Sequence, residues 1–211
     1  MKLILVGGHS RNIGKTSVVA GIVKALVELN WTAIKITQTG HKICASNGKD
    51  CGCEVPEHEF LLTEETEKSM RADTPRFLLA GAKRALWLRT RQGELVNALS
   101  KLKTEIATND YVIIESNSLR KFIVPDLYLQ VLDPTKEDFK ISAQEFLDLA
   151  DAYIVVDRFN QEIDIEKVAI NWQNISLKNL MDLKKPWFLV QSEKDFISQD
   201  VIEFIKKHLN K

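Results

Sequence analysis

A three-layer α/β domain with a mostly parallel sheet is the fold this sequence predicts, and three observations predict it. Short apolar runs alternate with longer amphipathic segments, the signature of successive strand–helix–strand units. Most of those runs are apolar throughout, as expected of strands that helices cover on both faces. The first run ends in Gly7 and Gly8 and passes within a few residues into a helical segment, a turn that belongs at the carboxyl edge of such a sheet.

Strands are expected at residues 3–7, 33–36, 85–88, 111–115, 127–132, 152–157 and 187–191. Helices are expected at 15–29, 74–82, 93–108, 142–149, 163–183 and 198–209. Ser142 followed by Glu145 has the spacing of a capping box just before Phe146 and Leu147. Pro186 stops the helix before it and opens the last strand. Residues 37–72 break the rhythm, with no convincing strand and weak helical periodicity; a stretch that long inside one domain is usually functional or disordered.

The 211 residues fit one domain, 1–211, and a chain this long buries about 70% of its unfolded surface without disulfide staples. Hydrophobic residues make up 45% and charged residues 27%, as in an ordinary soluble domain. Lys plus Arg and Asp plus Glu each number 29, so the net charge is zero, which excludes a nucleic-acid binder relying on a general basic excess. No apolar run approaches the roughly 18–20 residues that span a bilayer. The first run is also shorter than the roughly 7–15 residues of a signal-peptide core. The sequence therefore predicts a cytoplasmic protein with no nucleic-acid or membrane partner. Three cysteines argue against a disulfide framework.

The strongest chemical signal is Gly7-Gly8-His9-Ser10-Arg11-Asn12-Ile13-Gly14-Lys15-Thr16, followed by Ser17 and an apolar helix. Phosphate binding needs converging backbone N–H groups, a helix N-terminus and a cation, and this turn supplies all three. Gly14 admits the close approach, Lys15 reaches the β/γ-phosphates of ATP or GTP, and the Thr16 hydroxyl takes Mg²⁺. Gly8 stands one position before the first glycine of the strict pattern, where this chain has His9. Arg11 either supplies transition-state charge or is solvated. The strand 111–115 ends in Glu115, which at the carboxyl edge of the sheet would meet a magnesium-bound water or orient a nucleophile.

The spacing Gly8…Gly14-Lys15-Thr16, with Lys35-Ile36-Thr37-Gln38-Thr39-Gly40 after it, resembles dethiobiotin synthetase. That family also has five residues between its glycines and a Lys-Pro-Val-x-Ser-Gly-like segment after its second strand. The resemblance implies that Lys35 lies near the phosphates and the second substrate. Ile36 replaces the family's proline, and Glu115-Ser116-Asn117-Ser118 replaces its Glu-Gly-x-Gly-Gly. The same loop, together with Asp73-Thr74-Pro75-Arg76-Phe77 and Ala80-Gly81-Ala82, is similar to the molybdopterin-guanine dinucleotide biosynthesis adaptor B family. That likeness implies Asp73 and Arg76 as magnesium and phosphate partners. From the residues alone, Asp73 and Thr74 equally suit a helix N-cap, and Arg76 equally suits solvent. Both families belong to the signal-recognition, MinD and BioD-like (SIMIBI) class of P-loop NTPases. The resemblance covers residues 1–118 and implies a P-loop NTPase domain for which a homodimer is compatible.

All three cysteines, Cys44, Cys51 and Cys53, fall within ten residues, flanked by His41 and His58. Three thiolates and one imidazole make a soft four-coordinate site that suits zinc before an iron–sulfur cluster, with His41 or His58 as fourth ligand. The alternative is a loop of redox-paired thiols. The fold class thus carries a Cys/His-bearing insertion at 41–58, after the second strand.

Other signals are weaker. Lys83, Arg84, Arg89 and Arg91 suit solvated strand ends better than an anionic-substrate patch. Ser192-Glu193-Lys194-Asp195 has Ser and Glu in the first two positions of the guanine-reading Asn-Lys-x-Asp and keeps only Asp195, so guanine recognition is unsupported. Trp31, Trp87, Trp172 and Trp187 are spaced as core or edge aromatics. By position, Thr39, Gly40, Asn117 and Ser118 are candidates for a second substrate.

The reading is a Mg²⁺-dependent NTPase coupled to a Cys/His metal site, with cofactor or metal-centre biosynthesis as its setting and a small molecule or a protein as its partner. Its rivals are an ATP-dependent small-molecule kinase or ligase and a non-catalytic nucleotide-gated adaptor or metallochaperone. The metal reading predicts about one zinc per chain by elemental analysis of protein purified without added metal or chelator, lost in a Cys51→Ser/Cys53→Ser double variant. Metal-free wild-type protein would leave the thiols without that role.

Overall fold

The computed structural model describes residues 1–39, 59–158, 171–172, 175–176, 184–191 and 197–210, with only backbone described at 171–172 and 175–176. His41, Cys44, Cys51, Cys53 and His58, like Gly40 and Ser192 to Asp195, lie outside them.

The elements follow in order: β1 (Lys2–Gly8), α1 (Lys15–Ala25), β2 (Thr32–Thr39), β3 (Phe60–Glu64), α2 (Asp73–Leu79), β4 (Arg84–Arg91), α3 (Leu95–Ile106) and β5 (Tyr111–Glu115). Then come β6 (Leu127–Leu132), the single turn α4 (Ile141–Gln144), β7 (Ala152–Asp157), β8 (Asn171–Trp172), β9 (Ile175–Ser176), β10 (Trp187–Gln191) and α5 (Gln199–Leu209). The main sheet has eight strands in the order β10-β7-β6-β1-β5-β2-β4-β3. Every neighbouring pair in it is parallel except β3 with β4. The expected three-layer, mostly parallel α/β fold is therefore the observed one.

Alternation along each strand sends successive side chains to opposite faces, and two cores result. Ile4, Val6, Ile113, Leu129 and Ile154 pack against Val18, Val19 and Ile22 of α1 and against Val201 and Ile205 of α5. Leu3, Leu5, Ile34, Leu86 and Ile114 pack on the other face against Leu95, Ala98 and Leu102 of α3. Because both faces are covered, the strands read as continuous apolar runs. β1 lies between β5 and β6 and ends at the Gly8–Val131 pair, so its carboxyl end opens at the centre of the sheet edge.

Four expectations need correction. Residues 37–72 do contain a strand, β3, which pairs antiparallel with β4 at the sheet margin. Its five residues, Phe-Leu-Leu-Thr-Glu, lack the alternation that marks a half-buried strand. The expected helix 163–183 is interrupted by β8 and β9, an antiparallel pair joining Asn171 to Ser176 and Trp172 to Ile175. Asn, Ser and β-branched or aromatic residues form helix poorly, and the latter favour strands. The helix expected at 142–149 lasts one turn, with Lys140 rather than Ser142 at its N-cap and no side-chain cap bond. Bonds from Leu147, Leu149 and Ala150 back three residues tighten the chain instead, and Asp151 turns to the Tyr128 amide at 2.7 Å. Ala72 caps α2, so Asp73 is its first residue and its carboxylate serves elsewhere. No helix among the described residues is long and apolar enough to cross a membrane.

Leu5 is fully buried at the centre of the sheet. Leu5→Ala should cost about 3 kcal/mol, the scale of a leucine-sized core cavity. Urea unfolding should read this as a lower midpoint at unchanged m-value.

Candidate active site at the carboxyl edge of the sheet

The loop from Gly8 to Lys15 is held by contacts from three strand ends. Gly7 must be glycine: a Cβ there would lie 2.8 Å from both Asn117 Oδ1 and Tyr128 Oη. Just after β5, the Asn117 amide clamps Gly8, accepting from its N–H at 2.6 Å and donating to its carbonyl at 2.7 Å. The sequence offered Asn117 as a second-substrate residue; the structure gives it this structural task. Thr39 bonds the Thr90 carbonyl at 3.2 Å, and Ser118 opens a 3-10 turn. Gly14 has φ +93, a conformation in which any side chain is strained, and it delivers the chain into α1.

His9 is fully buried, and its ring serves the loop's architecture. Nε2 accepts from the Asp133 N–H at 3.0 Å, and Nδ1 donates to the Asp138 carbonyl at 2.9 Å. The ring stands 5.0 Å from Phe139. Ser10 donates to the Asp138 carboxylate. Asn12 adopts φ 55, and its carbonyl accepts from Arg158 at 2.8 Å. Arg158 also reaches the fully buried Asp133 at 2.6 Å, which accepts from the Thr135 hydroxyl as well. Ile13 is buried in the α1 core.

Lys15 donates to the Ser10 carbonyl at 2.7 Å across the loop. Burial lowers its pKa, Lys35 and Arg11 add to that, and Glu115 and Asp73 oppose it. Thr16 donates to Glu115 Oε2 at 2.8 Å, and Lys35 donates to Glu115 Oε1 at 3.1 Å. Lys35 also donates to Asp73, so its ammonium joins the two carboxylates. Register explains the meeting: Lys35 and Glu115 are paired positions of neighbouring parallel strands. Burial disfavours both charges here, but mutual attraction prevails, leaving the Lys35 pKa raised and the Asp73 pKa lowered. Arg76 donates to the Ser17 hydroxyl at 2.9 Å, which places it beside the loop.

Thr16, Asp73 and Glu115 form an oxygen donor set of the hard kind that suits magnesium, which is usually held by one or two carboxylates plus phosphates and water. Among the described residues no cluster of three or more His, Cys, Asp or Glu could hold a metal. Of the basic residues near β4, Arg84 pairs with Glu64 at 2.8 Å and Glu105 at 3.3 Å, and Arg89 lies 4.3 Å over Trp87. Trp31 is core, its indole N–H bonded to the Leu26 carbonyl.

Asp133, Asp138, Lys140 and Arg158 escaped the sequence reading. An acid closing an apolar strand, as Asp133 closes β6, is the same signal that exposed Glu115 at the end of β5. Lys140 carries no such signal. Its amide bonds the His9 carbonyl at 2.8 Å, and burial with the nearby Lys15 and Arg11 charges pushes its pKa down to about 8. Lys15, Arg11 and Lys140 thus lie close enough to act on one another's charge.

In the neutral ring His9 Nε2 accepts from the Asp133 N–H at 3.0 Å, and the Asp133 carbonyl lies 3.2 Å from the same nitrogen. Burial lowers its pKa below the ordinary 6.5, against the opposing effect of the Asp138 and Asp133 contacts. Its contribution to stability is therefore full above about pH 6.5 and is lost as pH falls from there through the folded-state value, with a limiting slope of about 1.4 kcal/mol per pH unit. Urea unfolding between pH 7.5 and 5.5 should show a larger loss in the wild type than in His9→Gln, which cannot titrate. Equal losses would refute the assignment.

No protein-family model matches the chain, and no curated protein matches it. Among solved structures it is similar to HypB from Helicobacter pylori in complex with nickel, at 15% identity over 98% of this chain and 86% of that one, TM-score 0.49. It is similar to MinC:MinD, the cell division protein complex of Aquifex aeolicus, at 14% identity over 99% and 86%, TM-score 0.47. It is also similar to LpxK from Aquifex aeolicus in complex with ATP, at 13% identity over 78% and 50%, TM-score 0.42. These are likenesses of fold, and none bears on which ligand this chain takes.

Proposed function

We propose that this chain binds a nucleoside triphosphate, ATP or GTP, with magnesium, and hydrolyses its terminal phosphoanhydride at the loop spanning residues 8–17. The observation that carries the reading is one convergence at the sheet edge: the N-terminus of α1, the Lys15 ammonium, and the Thr16 hydroxyl tied to Glu115, with Asp73 joined to that carboxylate through Lys35. The first N–H groups of α1 have no intrahelical partner and face the loop, where an anion satisfies them. Lys15 neutralises β/γ-phosphate charge, and Arg11 and Lys140 add positive charge outside it. Phosphoryl transfer asks for such positioning and neutralisation more than for covalent chemistry.

Thr16, Asp73 and Glu115 are the residues that would hold magnesium, which when bound offsets charge on the β- and γ-oxygens. Glu115 orders the attacking water, and Lys35 and Arg76 meet phosphate oxygens. The Cys/His stretch, with zinc or less favourably an iron–sulfur cluster, is the proposed partner of this site. Its neighbours Thr39 and Phe60 end β2 and begin β3 at the same carboxyl edge of the sheet.

Lys15→Ala should lower nucleotide turnover by about 10²–10³-fold, the scale of removing one preorganised charge-stabilising group. Phosphate release from ATP and from GTP, with and without magnesium, measures it. Turnover at the wild-type rate in the variant would overturn the reading.

A further inference from the structure

Lys35 sits in an unusual place for a phosphate-binding cation. Its ammonium bridges two carboxylates, those of Asp73 and Glu115, with 3.1 Å to Glu115 Oε1. Thr16 donates to the other oxygen of the same carboxylate, Glu115 Oε2, at 2.8 Å. The three oxygen-bearing groups best suited to magnesium are therefore the three that surround or neighbour one lysine. A divalent ion bridging those carboxylates needs oxygens at about 2.0–2.1 Å, which the ammonium and the metal cannot both satisfy in the same place.

Resting on the nucleotide-binding reading above, we propose that Lys35 and the divalent cation are alternative partners of the same two carboxylates, and that metal enters as Lys35 is drawn off to the nucleotide's terminal phosphate. Two carboxylates and an ammonium sum to one negative charge; two carboxylates and a divalent ion sum to zero. The released ammonium stands near Lys15, on a flexible four-carbon stem, within the field of the bound phosphates. Lys35 side-chain exposure is 19% and that of Glu115 is 6%, so the displaced charge needs a new partner and the phosphate provides one. Metal and nucleotide then bind with positive coupling that is reciprocal by linkage. The device also keeps the two carboxylates converged and compensated before the metal arrives.

The test is Mn²⁺ binding, read by electron paramagnetic resonance on protein without nucleotide, for wild type, Lys35→Met and Lys140→Met. Lys35→Met should bind Mn²⁺ about tenfold tighter or more than wild type. Lys140→Met removes an equal charge nearby without vacating the carboxylates and should change affinity far less. Adding Glu115→Gln to Lys35→Met should abolish the gain. Circular dichroism and melting temperature confirm that each variant is folded. Adding a non-hydrolysable triphosphate should tighten Mn²⁺ more in wild type than in Lys35→Met. Equal Mn²⁺ affinity in wild type and Lys35→Met, an equal gain in Lys140→Met, or a gain surviving Glu115→Gln would each overturn the proposal. Failure of wild type to bind triphosphate would overturn the nucleotide reading instead, a separate result from the nucleotide-free titration.

Discussion

A carboxylate at 5% exposure, closing an apolar strand, is the constraint around which this sheet edge is built. Burying Glu115 is unfavourable unless its oxygens are met by donors and by opposite charge. Thr16 and Lys35 meet them, one from α1 and one from β2. That requirement accounts for a threonine in the first turn of α1 and a lysine between the buried Ile34 and Ile36 of β2. The functional groups and the structural groups are here the same groups.

The opposite flank repeats the logic with different residues. Asp133 is fully buried at the end of β6 and is satisfied by Arg158 and Thr135. Arg158 spends its remaining reach on the Asn12 carbonyl, at a residue whose φ of 55 is unusual outside glycine. His9 and Ser10 fasten the loop to residues 133–138, and Asn117 fastens its start to β5. Strain at Asn12 is thus sustained by contacts from three strand ends. A loop so overdetermined keeps its N–H groups aimed without reorganisation, which is what charge stabilisation in a transition state requires.

What could be read from the sequence divides along physical lines. Strands β1, β5, β6 and β7 are buried on both faces and leave continuous apolar runs, so they were legible; β10, at the sheet margin with Leu189 exposed, was legible from its apolar run after Pro186. The strand-to-helix loop after β1 was legible because its glycines, lysine and threonine fall within one short stretch, and the buried Glu115 because a strand-closing acid contradicts its apolar neighbours. β3 was not, since a marginal five-residue strand, partly buried at Phe60 and Leu62 and exposed at Leu61, has apolar residues on both faces and leaves little pattern. α4 failed because its capping-box spacing was overridden by tertiary contacts, with Asp151 committed to β6. Lys140, Asp138 and Arg158 join the loop only through the strand order β7-β6-β1, and no local spacing encodes that. The meeting of Lys35 with Glu115 is likewise a matter of register between strands about eighty residues apart. The resemblance places Lys35 near phosphates; its bonds to Asp73 and Glu115, beside Lys15, follow from the strand register and not from any local motif.

For the proposed link between the Cys/His stretch and nucleotide turnover, β2 gives the shortest route. Lys35 and Thr39 lie four residues apart on one strand and on one face, a distance of about 13 Å at 3.3 Å per residue. Phe60, at the other end of the stretch, pairs with Thr90 of β4, and β4 pairs with β2 along its whole length. Both ends of the stretch are therefore joined by hydrogen-bonded backbone to the strand that carries Lys35. Packed strands do not stretch, so a metal that changed the spacing between Thr39 and Phe60 would act on the β2–β4 pair as a unit. The bridge between Lys35, Asp73 and Glu115 crosses from that pair to β5 and α2, and it is the contact such a movement would load first.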